Sequence, residues 1–132
     1  KPRDDDFIEA DELRRKLDER SALVLDARAP ERWRGDVEPV DAKPGRIPGS
    51  VNAPAAHNVA GGRFRSPNEL RRHYESLGVS DDAEVVLSCG SGVSACVDLV
   101  GLELAGFHGA KLYPGSYSGW LARGFPIELG AK

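Results

Sequence analysis

The 132 residues fit one domain, and 40% hydrophobic with 30% charged residues is the balance of an ordinary globular chain. A net charge of −3 gives no basis for nucleic-acid binding, no apolar run is long enough to span a bilayer, and no signal peptide is visible. Two cysteines, Cys89 and Cys96, are too few for a disulfide framework and suggest a reducing, cytoplasmic setting.

The polar start "KPRDDDF" lacks a methionine and reads as a linker or the edge of an excised piece. Phe7 and Ile8 offer a small first strand. Glu9 to Glu19 places Leu13 and Leu17 on one helical face. "SALVLDA" (Ser21 to Ala27) lacks the alternation of a half-wet strand and reads as a buried parallel one. Pro30 to Gly49 is rich in Pro, Gly and Arg, with little periodicity, and is expected to be a long functional loop. Ser50 to Pro54 is a short strand candidate ended by proline. Ser66, Pro67 and Glu69 form a capping-box signature for a helix that runs to Leu77 and stops at Gly78. On that helix Arg71 to His73, between Glu69 and Glu75, reads as a mixed solvated face.

"EVVLSC" (Glu84 to Cys89) is a second buried strand. The helix after it sets Val93, Cys96, Val97, Val100 and Leu104 on one apolar stripe, which makes Cys96 a structural residue, and ends at Gly106. Ala110 to Pro114 is a last strand, and Tyr117 to Arg123 a last helix. Strands alternating with helices predict an α/β fold on a parallel sheet.

Cys89 falls where a buried strand gives way to a helix. Ligands of open parallel sheets collect at the carboxyl ends of strands. Gly90 and Gly92 allow a tight turn with amides facing inward, and the free N–H groups of a helix starting near Gly92 to Ser94 favour an anion there. A thiolate is such an anion, so Cys89 is the candidate nucleophile. The chemistry is not phosphate transfer of the C-x5-R kind, because Ala95 stands where the phosphate-gripping arginine belongs. Nor is it a C-x-x-C redox pair, since the second cysteine is seven residues away. No position argues for a catalytic role of His57, His73 or His108.

"CGSGVSA" (Cys89 to Ala95) resembles the active loop of the rhodanese family, specifically the mercaptopyruvate branch of its two-domain sulfurtransferases. "LDARAPERWRG" (Leu25 to Gly35) is similar to the family's D-x-R segment, "GRIPGSVNAP" (Gly45 to Pro54) to its G-H-I-P-G-x-x-N-x-P, and "YPGSYSGW" (Tyr113 to Trp120) to its closing motif. The resemblance implies a central, mostly parallel five-stranded sheet flanked by helices on both faces. It implies that residues 1–132 are a single rhodanese domain, the catalytic C-terminal half of a two-domain protein whose N-terminal rhodanese domain is a missing partner.

The implied reaction moves a sulfane sulfur from 3-mercaptopyruvate or thiosulfate, through a Cys89 persulfide, to cyanide or a thiol such as a thioredoxin-like protein. The alternative is a persulfide carrier or interaction module loaded by a partner protein. A domain that only binds partners is disfavoured by the intact loop. No metal or organic cofactor is implied. The donor would be a small anion bound by Arg32 and by the loop residues Gly90, Ser91, Gly92, Val93 and Ser94. Ser91 would place a hydroxyl beside the sulfur, and Ser94 would cap the helix. Asp26 is expected to fix the loop or an arginine, and Arg28 to be an ion-pair partner. Arg46 replaces the family's histidine, adding positive charge at the site entrance or standing as a surface change. Val40 replaces a second substrate arginine.

Overall fold

Two short runs of Val and Leu make the centre of the sheet, because only strands buried on both faces tolerate such continuous apolar sequence. The computed structural model describes residues 7–39, 43–88 and 93–130. In chain order these form α1 (Ala10–Asp18), β1 (Leu23–Asp26), α2 (Pro30–Arg34), β2 (Val51–Asn52), a 3-10 turn (Ala55–Asn58), β3 (Val59–Ala60), β4 (Arg63–Phe64), α3 (Pro67–Ser76), β5 (Val85–Ser88), α4 (Val93–Leu104), β6 (Lys111–Leu112) and α5 (Ser116–Ala122). The main sheet has the order β2-β1-β5-β6, and every pairing in it is parallel. Among the described residues no helix is long and apolar enough to cross a membrane.

Among the described residues the main sheet has four strands, against the five expected. Before α1, the described residues add a parallel bridge of Phe7 to Leu112, with Ile8 N–H donating to Leu112 O at 3.0 Å.

Helices do cover both faces. Leu25, Val85 and Leu87 pack against Leu70 and Tyr74 of α3, Ala95 and Leu102 of α4, and Ala105 just past its end. Val24 and Val86 point the other way, onto Leu13 of α1 and Tyr117 and Trp120 of α5. The period-two alternation of β1 and β5 thus feeds two cores from one sheet. The Ser66 capping box is present: Glu69 N–H donates to Ser66 Oγ and Ser66 N–H to Glu69 Oε1, both at 3.2 Å.

Three local readings change. The expected loop from Pro30 opens with helix α2, where Pro30 takes the first helical position and Gly35 (φ +87°) ends the turn. A hairpin, β3–β4, turns at Gly61-Gly62, both with positive φ. Most consequentially, α4 is rotated by one residue, about 100°, from its expected stripe. Its inward face is Ala95, Asp98, Leu102 and Ala105. Cys96 is exposed, as are Val100 and Leu104, so Cys96 is not a core residue.

The rotation brings Gly101 against α3 and the 3-10 turn. A Cβ there would lie 2.5 Å from Asn58 Nδ2 and 2.9 Å from the Tyr74 hydroxyl. Both neighbours are fully buried and hydrogen-bonded, so they cannot step aside freely. Gly101→Ala is therefore expected to destabilise the fold by roughly 1–3 kcal/mol despite its higher helix propensity. Urea unfolding measures this, and a gain in stability would show that the contact yields.

Candidate active site

The carboxyl ends of β1, β2 and β5 are bound together by side chains and backbone. Asp26 is in register with Ser88, the residue before Cys89, and Ala27 N–H donates to Ser88 O at 2.8 Å. Asn52 Nδ2 donates to the carbonyls of Asp26 (3.1 Å) and Arg28 (2.9 Å), holding the turn that follows β1. Cys89, Gly90, Ser91 and Gly92 lie outside the described residues, as does Val40. What the structure gives is their frame, between Ser88 at the end of β5 and Val93, the first residue of α4. Ser94 is the second residue of that helix, inside it, and so does not stand at the cap position expected of it.

Behind this frame sits a buried ion pair. Arg28 Nε donates to both Asp26 oxygens at 3.1 Å, and Arg28 Nη2 donates to Oδ2 at 2.8 Å. Arg28 N–H donates to Asp26 Oδ1 at 2.9 Å. Arg28 Nη2 also reaches Gly45 O at 2.8 Å, and its guanidinium lies 4.4 Å from the centre of the Tyr117 ring. The ion-pair role read for Arg28, and the arginine-holding role read for Asp26, are thus what the structure contains. The bidentate geometry satisfies the carboxylate inside the protein, which a single contact would not.

Arg32, on α2, extends this pair outward. Its Nη2 donates to Glu38 Oε2 at 3.0 Å, while Glu38 Oε1 lies 3.6 Å from Arg28 Nη1. Glu38 was not among the predicted site residues. The only signal for it is the stretch "VEPV", read for the residue it lacks and not for the glutamate it keeps.

Arg46 is neither at an entrance nor on a surface. It is fully buried, stacked 4.0 Å from the centre of the Trp33 ring. Its Nη1 donates to the carbonyls of Trp33 (3.2 Å) and Gly130 (2.6 Å), and Nε is 3.5 Å from Glu128 Oε1. The flat guanidinium suits a slot between an indole face and chain carbonyls, which is why it enters the interior. Arg46 therefore joins the C-terminal tail to α2. A cleft lined by Arg14, Leu17, Ala22, Pro48 and Trp120 opens beside Ala22, which precedes β1, and none of the predicted site residues is among its described lining.

A second buried polar group lies under α4. Tyr74 Oη donates to Asp98 Oδ1 at 2.8 Å; Asn58 Nδ2 lies 3.2 Å from that oxygen and 2.8 Å from Tyr74 Oη. Burial pushes the Asp98 carboxyl up from an ordinary 3.8 to about 7, a rise that the hydrogen bonds from Tyr74 and Asn58 oppose and the Asp26 charge reinforces. Sequence reasoning passed over Asp98, although an aspartate amid "ACVDLVGL" was the available signal. His57 and His73 stack with ring centres 3.9 Å apart, and His73 falls to about 4 through burial, then the charges of His57 and Arg65.

A neutral buried Asp98 stabilises the fold fully below about pH 4, and that contribution is lost as pH rises through about 7. His73 has the opposite sign, stabilising above pH 6.5 and losing this as pH falls toward 4. Comparing Asp98→Asn with the parent cancels the histidine. The variant's relative stability should rise between pH 4 and 7, by roughly 1–4 kcal/mol in all. Urea melts across that range test it; a pH-independent difference would mean that Asp98 ionises freely in the fold.

A family model described as "Rhodanese-like domain" matches residues 9–123. The chain is 44% identical over 118 residues to a Pseudomonas aeruginosa protein named "Probable 3-mercaptopyruvate sulfurtransferase", covering 87% of this chain and 41% of that one. It is 39% identical over 130 residues to the 3-mercaptopyruvate sulfurtransferase of Mus musculus, covering 96% of this chain and 44% of the relative. The crystal structure of SseA from Escherichia coli, titled for the "Rhodanese" fold of 3-mercaptopyruvate sulfotransferases, matches with a TM-score of 0.75 and 30% identity, over 87% of this chain and 43% of that one. The chain thus spans about two fifths of the length of these relatives.

Proposed function

The chain belongs to the rhodanese-like domain family, and from that premise we propose that it is a sulfurtransferase domain whose nucleophile is Cys89. The observation that carries the reading is the convergence at the end of β5. The strand leads to the cysteine, a twelve-residue helix starts four residues later, and β1, which leads into the arginine-bearing segment, lies in register beside β5. Relatives 44% and 39% identical to the chain are named for 3-mercaptopyruvate sulfur transfer.

In the proposed reaction the Cys89 thiolate attacks the sulfur of 3-mercaptopyruvate. An S–S bond forms, the C–S bond breaks, and the electron pair leaves as the pyruvate enolate, which takes a proton. With thiosulfate the same attack expels sulfite. A thiol acceptor then attacks the outer sulfur of the persulfide and restores the Cys89 thiolate. Peptide N–H groups at the start of α4 favour the anionic sulfur through both halves. Arg32, partly exposed at 20%, is the cation we assign to the donor's charged end, whereas Arg28 is 1% exposed. Ser91 supplies a hydroxyl to the departing enolate in this scheme.

Mixing the protein with either donor, without acceptor, should add the mass of one sulfur atom to Cys89. Cys89→Ser should leave the fold intact and abolish both this adduct and turnover; retained turnover would overturn the assignment. Loading only from another protein's persulfide would instead indicate a carrier. Arg32→Ala should raise the donor KM by about tenfold or more with a smaller change in kcat. An unchanged KM would remove Arg32 from the donor site.

A further inference from the structure

Arg32, the proposed partner of an anionic donor, already meets a carboxylate in the folded protein. Glu38 holds Arg32 Nη2 at 3.0 Å, and its own side chain is only 4% exposed. Its other oxygen faces Arg28, which is committed to Asp26, to the Gly45 carbonyl and to the Tyr117 ring. Among the described residues, Asp26, Arg28, Glu38 and Arg32 form a chain of alternating charges. Three of them are almost wholly buried, and Arg32 is the most exposed.

A buried negative charge next to the anion's own docking point has two effects. It aligns the guanidinium of Arg32. It also repels the incoming anion, and a dianion feels that repulsion about twice as strongly as a monoanion. We propose that Glu38 is a specificity-determining positioning residue of the donor site, selecting monoanionic carboxylate donors against dianionic ones by orienting Arg32 while cancelling its charge. This inference rests on the sulfurtransferase reading. It assigns the discrimination between mercaptopyruvate and thiosulfate to a residue that need not touch either donor.

The test is Glu38→Gln, which keeps the shape and removes the charge. The kcat/KM ratio of thiosulfate to 3-mercaptopyruvate should rise about three- to tenfold, carried mainly by KM, and the rise should shrink in high salt. Glu38→Asp, which restores the charge, should return the ratio toward that of the parent. A purely structural role would instead lower both donors together and leave the ratio alone, and that result overturns the proposal.

If the parent protein transfers sulfur from neither donor, the sulfurtransferase reading fails separately. The inference is then read from equilibrium binding of two unreactive anions. Removing the Glu38 charge should tighten sulfate more than pyruvate, and Arg32→Ala should erase that difference. Equal effects on the two anions would reject the role given to Glu38.

Discussion

The Asp26–Arg28 ion pair is the constraint around which the functional end of this domain is organised. It forms at the last residue of β1, where the chain must leave the sheet beside the strand that leads to Cys89. A buried pair of this kind is not strong evidence for stability, because desolvation offsets much of its attraction. Its effect here is geometric. Arg28 reaches Asp26, Gly45 and Tyr117 at once, so one guanidinium fixes the β1 turn, the glycine-rich segment and α5 relative to each other. Loss of either partner would leave an uncompensated charge under the site. The pair therefore behaves as a register pin, and the Glu38–Arg32 pair hangs from it.

Some of this was legible in residues alone. Val24, Leu25, Val86 and Leu87 announce doubly buried strands, since no amphipathic strand would carry such runs. The Ser66–Glu69 box announces a helix start, since both partners of the reciprocal bond lie within four residues. The motif order placed the cysteine at the end of a strand and before a helix, which is where the structure puts its frame. These signals are local, and local signals survive folding.

What was not legible depended on which neighbour a side chain meets. Apolar residues lie on two sides of α4, so periodicity did not select the face, and the larger side chains suggested the wrong one. The true inward face is chosen by small Ala95 and Gly101, which let α3 and the 3-10 turn approach, and by Asp98, whose partners Tyr74 and Asn58 come from those elements. Arg46 was misread for a similar reason. A charge is expected outside unless the sequence shows its receiver, and the receivers here are Trp33 and a carbonyl 84 residues further along the chain. Glu38 stayed hidden because a bridging carboxylate has no motif of its own.

The lodging of Arg46 has a practical consequence for how short this domain can be cut. Residues past α5 contribute little regular structure, and a boundary drawn after Ala122 would look harmless. Yet Glu128 exchanges two backbone hydrogen bonds with Arg46, and Gly130 supplies the carbonyl at 2.6 Å. Removing that tail would strip a sequestered cation of the Gly130 carbonyl and the Glu128 carboxylate, leaving it the Trp33 carbonyl alone among its described acceptors. Water would then have to enter to solvate the cation, beside the α2 segment from which Arg32 projects.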